Sequence, residues 1–155
     1  SEIDSTLTSY SIYSGSKIDF SFNMNSVSFM FNKNFNNKIK AVFQKNLAVL
    51  IAPDALTANQ LLRFGRYDFD LVELYSRKIR KKIYEEKGAF TDAKFFQPIF
   101  NELQEEMNTV SAQVFKATNF GKNDAMLQKE HDKVKQEIKS LSDFCLSCKP
   151  KKLKD

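Results

Sequence analysis

The chain has no Trp, one His, two Cys and four Gly in 155 residues. Each scarcity removes a class of function. The glycines Gly15, Gly65, Gly88 and Gly121 are dispersed, so no glycine-rich loop can cradle a phosphate. Nor is there a serine-nucleophile motif. Cys145 and Cys148 form a lone C-x-x-C, and a zinc site would need about two further ligands, for which His131 is the single histidine. A thioredoxin-like pair stands where a strand opens a helix; this one closes a helix before Pro150. A local disulfide, or two unreactive thiols, is what remains. A Cys/His dyad is excluded because His131 belongs to a different apolar helix face. No apolar run reaches the ~18 residues of a membrane span, and no repeat or low-complexity stretch breaks the chain.

What is present has an ordinary globular balance, 42% hydrophobic and 28% charged, in a length suited to one domain with a real core. With 15 Phe and no Trp, phenylalanine is the expected core filler. The net charge of +5 is local. One basic run is Arg77, Lys78, Arg80, Lys81 and Lys82; the other is the tail Lys149, Lys151, Lys152 and Lys154. Basic patches attract nucleic acid or anionic lipid through phosphates. No recognised nucleic-acid motif accompanies these, so a solvated helix face and a charged tail are the plainer reading. The first residue is Ser1 rather than Met, the start expected of a processed or trimmed chain.

In chain order, residues 1–16 read as an arm or a first edge strand. Lys17 to Phe22 alternates, with Ile18, Phe20 and Phe22 on one side, as a half-buried strand does. After a polar turn at Asn23 to Ser26, Val27, Phe29 and Phe31 alternate in the same way, and the two segments are expected to form an antiparallel hairpin. Lys38 to Ile51 is ambiguous: Ile39, Val42, Phe43 and Leu47 suit a helix, while Leu47 to Ile51 also suits a strand. Asp54 or Thr57 is placed to cap a long helix, from about Leu56 to Glu86 and ended by Gly88. Lysines near that end suit the helix dipole. Thr91 is expected to cap a further helix, roughly Ala93 to Ala117, with Pro98 tolerated near its start. Its stripe is Phe96, Ile99, Phe100, Leu103, Met107, Val110 and Val114. A last helix from about Asn123 to Ser142 has Leu127, His131, Val134, Ile138 and Leu141 on its apolar face, which makes His131 a core or semi-core residue.

The long helix carries the functional clue. It is apolar on two faces, Leu62, Gly65, Phe69, Val72, Ile79 and Ile83 on one, Leu61, Phe64, Asp68, Leu71 and Tyr75 on the other, so it belongs inside the domain. Phe64 and Asp68 stand one turn apart, where a zinc protease carries two histidines. The flanks Leu61-Leu62, Phe69-Asp70-Leu71, Glu73, Tyr75, Arg77 and Arg80 resemble a segment L-L-x-H-E-x-x-H-F-D-I-A-E-x-Y-A-R-x-L-R. That segment is typical of a secreted bacterial family of predicted zinc-dependent proteases (domain of unknown function 922). Val114 to Gly121 is similar to the family's Y-D-x-x-T-x-H-G, keeping Thr118 and Gly121 with Phe120 in the histidine position. The resemblance spans about residues 25–142 and implies a zincin-like core helix.

The chemistry of the motif is absent. Phe64 cannot hold a metal, Gly65 has no carboxylate to polarise water, Asp68 alone binds zinc poorly, and Phe120 removes a further imidazole. Phe64 and Phe120 are expected to pack together instead. Asp68, Asp70 and Glu73 lie close enough along the helix for acid–base work, but Asp70 and Glu73 are better read as partners of Arg66, Arg77 or lysines at helical spacing. The expectation is α+β: a short antiparallel N-terminal sheet on three long helices, with an arm (1–16), a metalloprotease-like domain (17–144) and a basic tail (145–155). The function implied by the resemblance is non-catalytic, without zinc or another cofactor, secreted or in the periplasm or envelope. It would act by binding a protein through residues such as Asp68, Asp70, Glu73, Tyr75 and Arg77. Two alternatives stand beside it. One is a hydrolase with a non-standard metal site on Asp68, Asp70 or Glu73. The other is a binder of nucleic acid or anionic surfaces.

Overall fold

A computed structural model describes residues 10–20 and 24–151. Phe22, Asn23, Lys152, Lys154 and most of the expected N-terminal arm lie outside them. The fold is α+β. Strands β1 (Ser11–Tyr13), β2 (Ser16–Phe20), β3 (Ile39–Phe43) and β4 (Val49–Ile51) accompany a short helix α1 (Ser26–Phe31) and three long helices. These are α2 (Ala55–Glu86), α3 (Phe96–Ala117) and α4 (Asp124–Ser140).

The strands make two antiparallel pairs. β2 lies on β3 with Ser16 opposite Phe43 and Phe20 opposite Ile39, and β1 lies on β4 with Tyr13 opposite Val49. The two pairs follow end to end as a ribbon, separated by residues 14–15 on one side and by residues 44–48, with a turn at 45–47, on the other. Gly15 stands at this break. Its φ is +71°, its carbonyl accepts from Gln44 N at 2.9 Å, and a Cβ there would stand 2.6 Å from the Gln44 carbonyl oxygen. Only glycine fits such a position without backbone movement.

The expected hairpin partner of β2 is a correction. Ser26–Phe31 is helical, not a strand, and β3 takes its place beside β2. Asn25 decides the matter locally: its side chain accepts from Ser28 N at 2.8 Å, an N-cap that turns the chain before the alternation can act. Of the three apolar residues only Phe29 is buried; Val27 and Phe31 are exposed. The ambiguous segment resolves into β3 and β4.

α2 is the axis of the molecule. Both ribbon segments, α3 and α4 pack on it. Asp54 caps it through Thr57 N at 2.7 Å, and that bond holds the Asp54 carboxyl below the usual carboxylate range. Leu61, Phe64, Leu71, Tyr75, Ile79 and Ile83 are buried as the second face and the C-terminal end of the first require. Leu62 breaks the expected stripe: it is half exposed, because the ribbon leaves the N-terminal end of that face uncovered. Thr91 does not cap α3: its hydroxyl accepts from Gly88 N, Asp92 caps a short 3-10 turn (Ala93–Phe95) by accepting from Lys94 N at 2.7 Å, and α3 follows that turn without a side-chain cap of its own. Cys145 and Cys148 are joined in a disulfide.

Candidate functional site

The positions singled out on α2 fall into two environments. Toward its C-terminal half, Glu73 accepts from Arg77 Nε at 2.7 Å and from Arg80 Nη1 at 3.2 Å. Arg80 is buried. Its Nε and Nη2 donate to the Ile39 carbonyl at 3.0 and 2.6 Å, and Nη1 donates to the Phe144 carbonyl at 2.9 Å. Arg77 Nη1 donates to the Ile138 carbonyl at 2.9 Å. Burial lowers the Arg80 pKa, and Glu73 partly offsets this. One guanidinium fork thus ties β3 and the segment after α4 to the central helix.

The expected solvated basic face is therefore corrected in part. Arg77 and Arg80 point into the fold, Lys78 lies over the Tyr75 ring at 4.4 Å, and Lys82 pairs with Glu102 at 2.7 Å. Tyr75 donates from its hydroxyl to Glu106 Oε1 at 2.7 Å, joining α2 to α3; burial, then Glu106, pushes its pKa up. Tyr75 thus joins α2 to α3 and Arg77 joins α2 to α4, while Glu73 pairs with two arginines of its own helix.

The N-terminal half carries Phe64, Gly65 and Asp68, and Phe120, in the turn after α3, is linked to it through Phe115. Phe64 is buried, with its ring centroid 4.6 Å from that of Phe115 and 5.6 Å from that of Tyr67. Phe120 meets Phe115 at 5.6 Å and Tyr10 at 6.2 Å. The direct Phe64–Phe120 pairing expected from sequence is replaced by a relay through Phe115. The reason is the turn after α3, where Asn119, Phe120 and Gly121 all have positive φ and carry the Phe120 ring outward. Thr118, wholly buried, builds that turn: its hydroxyl donates to the Val114 carbonyl at 2.7 Å and accepts from Gly121 N at 3.1 Å.

Gly65 lies under Ile12 of β1, whose Cδ1 would stand 3.3 Å from an added Cβ. Asp68 is held on both oxygens, by Ser14 Oγ at 2.5 Å and Ser111 Oγ at 2.7 Å. These serines were not singled out from sequence, since only the tertiary fold brings three separate segments to one carboxylate. Among the described residues no three of His, Cys, Asp and Glu come together as a metal-holding group.

Asp70 departs from expectation. It accepts from His131 Nε2 at 2.6 Å, across the α2–α4 contact, rather than from an arginine or lysine of its own helix. Beside this pair opens the principal cleft, about 620 Å³, between the β1–β4 ribbon, α2 and α4. Its walls are Ile12, Phe43, Val49, Leu50, Leu62 and Phe69, and its floor includes Gly65. Its polar end is Arg66, Asp70, His131 and Lys135. The size falls in the range of small-ligand sites, ~300–1,000 Å³. Several wall residues are half exposed, Phe43 at 54%, Leu62 at 51% and Val49 at 50%, so the apolar surface is continuous and open. The spacings Arg66/Asp70 and His131/Lys135, each one helical turn, were legible; that the two turns face one another was not.

No family model, no curated protein and no solved structure matches the chain.

Proposed function

We propose that this chain is a non-catalytic, zinc-protease-like domain of secreted or envelope location that acts by binding. The observation that carries the reading is the filling of the motif positions. Phe64 is packed on Phe115, Gly65 is covered by Ile12, and both Asp68 oxygens are occupied by serine hydroxyls. Zinc hydrolysis needs two imidazoles one turn apart and a carboxylate aimed at the bound water. None of these groups stands at those positions. Thr118 and Gly121 build a turn, and Tyr75, Arg77 and Arg80 join elements, so what this chain has in common with the family pattern is architecture. The Cys145–Cys148 disulfide supports an oxidising compartment.

A protein partner has a surface to use. β4 is exposed at Val49, Leu50 and Ile51 and, among the described residues, is paired along one edge only. An extended segment adds readily to such an edge through main-chain hydrogen bonds. The test is metal content of the purified chain by elemental mass spectrometry, before and after incubation with zinc, with a casein-cleavage assay alongside. The expected result is zinc far below one per chain, no thermal shift on adding it, and no cleavage. Stoichiometric zinc together with cleavage overturns the reading.

A further inference from the structure

The principal cleft has a polarity along its length that the binding reading leaves unused. One end is aliphatic and aromatic, formed by Ile12, Phe43, Val49, Leu50, Leu62 and Phe69. At the other, Arg66, His131 and Lys135 line both this cleft and an adjoining pocket of about 480 Å³, so the apolar cavity opens directly onto a polar chamber. The charges there do not cancel. His131 is engaged by Asp70, and Asp124 in the chamber pairs with Arg63. Among the described residues neither Arg66 nor Lys135 has an acidic partner. Arg66 is exposed at its helix surface and Lys135 faces it from α4 across the same opening.

We infer that this cleft binds a single-chain amphiphilic anion. The alkyl chain lies against Leu62, Phe69 and the ribbon, and the headgroup is held between Arg66 and Lys135. An alkyl chain gains from leaving water in proportion to the apolar area covered, ~25 cal/mol per Å². A carboxylate or phosphate supplies the countercharge that the two cations lack, and guanidinium matches either group with paired hydrogen bonds. Gly65 lets Ile12 of β1 approach the helix closely, since a Cβ there would stand 3.3 Å from Ile12 Cδ1, and both residues line the cleft. The inference goes beyond the pseudoenzyme reading and does not depend on it. The cleft and its cations stand whatever the ancestry of α2.

The test is calorimetric titration of the full chain with laurate and with monododecyl phosphate, both below their micelle concentrations. Dodecyltrimethylammonium serves as the opposite-charge control. One laurate or dodecyl phosphate per chain is expected, with the cation at least about tenfold weaker, the scale of one 1.4 kcal/mol contact. Arg66→Gln and Lys135→Gln should each weaken the anion severalfold. Lys133→Gln, the same charge change at an exposed site outside the cleft, should leave it unchanged. Both lysine positions and Arg66 are exposed, so far-UV circular dichroism is expected to show all three variants folded. Equal binding of the cation, or equal effects of Lys133→Gln and Lys135→Gln, overturns the inference. So does binding seen only to phosphatidylglycerol vesicles, which would make the site a membrane surface. A doubling of mass in sedimentation without anion binding would assign the cleft to a second copy of the chain.

Discussion

The two halves of α2 solve opposite problems with the same helical spacing. The C-terminal half buries charge: Arg80 is sealed in the core and satisfied by Glu73 and two backbone carbonyls. The N-terminal half buries rings, with Phe64 packed on Phe115 and Tyr67, and leaves one apolar face open to a cleft. The first half fixes neighbouring elements. The second is satisfied in its core yet presents an uncovered wall and, among the described residues, one cation without an acidic partner, Arg66. One helix thus spends its buried charge on joining elements at one end and keeps an open apolar face at the other.

Replacing Arg80 by Ala should break the first half hardest. It strands the Ile39 and Phe144 carbonyls and weakens the hold on Glu73, and a loss of about 3–5 kcal/mol is expected from chemical denaturation. Arg80→Lys sharpens the point: it keeps the charge but loses the fork, and should recover only a minor part. Wild-type stability from Arg80→Ala would mean the guanidinium is not the tie between β3, the segment after α4 and α2. In the second half, Phe64→Ala removes a packed ring and should cost about 3–4 kcal/mol in urea unfolding. A cost under about 1 kcal/mol would mean that the rings do not hold this end together.

Alkaline pH probes the α2 tyrosines. Burial raises the pKa of both Tyr67 and Tyr75 above that of the unfolded chain. The folded state thus keeps protons that the unfolded state loses above about pH 10, and stability falls as pH rises from there toward the folded values. Tyr75→Phe should flatten part of that slope while leaving the neutral-pH unfolding midpoint lowered by the lost bond to Glu106. An unchanged alkaline slope would contradict the burial of its hydroxyl. The smallest effect expected is at Gly65→Ala. Alanine favours the helix by up to about 1 kcal/mol, and the contact it meets is the mobile end of Ile12 beside an open cleft. A net gain of about 0.5 kcal/mol in thermal unfolding is expected. A clear loss would show that Ile12 cannot yield and that the cleft floor is rigid.

The sequence by itself determined the three long helices, their breaks and most of their buried faces, because a period of 3.6 in Leu, Ile, Val and Phe is a local signal and Asp54 a local cap. It also made plain that the side chains of Phe64, Gly65 and Phe120 offer no metal ligand, since ligand chemistry is a property of side chains. It failed at residues 26–31, where alternation and a one-turn helix write nearly the same pattern and the Asn25 cap settles which forms. Strand pairing was beyond it as well, because β2 finds its partner only when the chain has looped through α1 to β3. Only the tertiary structure decided that Asp70 meets His131 and that Ser14 and Ser111 hold Asp68. It likewise decided that Arg66 and Lys135 face one opening. The physical reason is the same in each case: these contacts join segments far apart in the chain, whose approach is fixed by how the ribbon, α3 and α4 pack around α2 and not by any residue's neighbours in sequence.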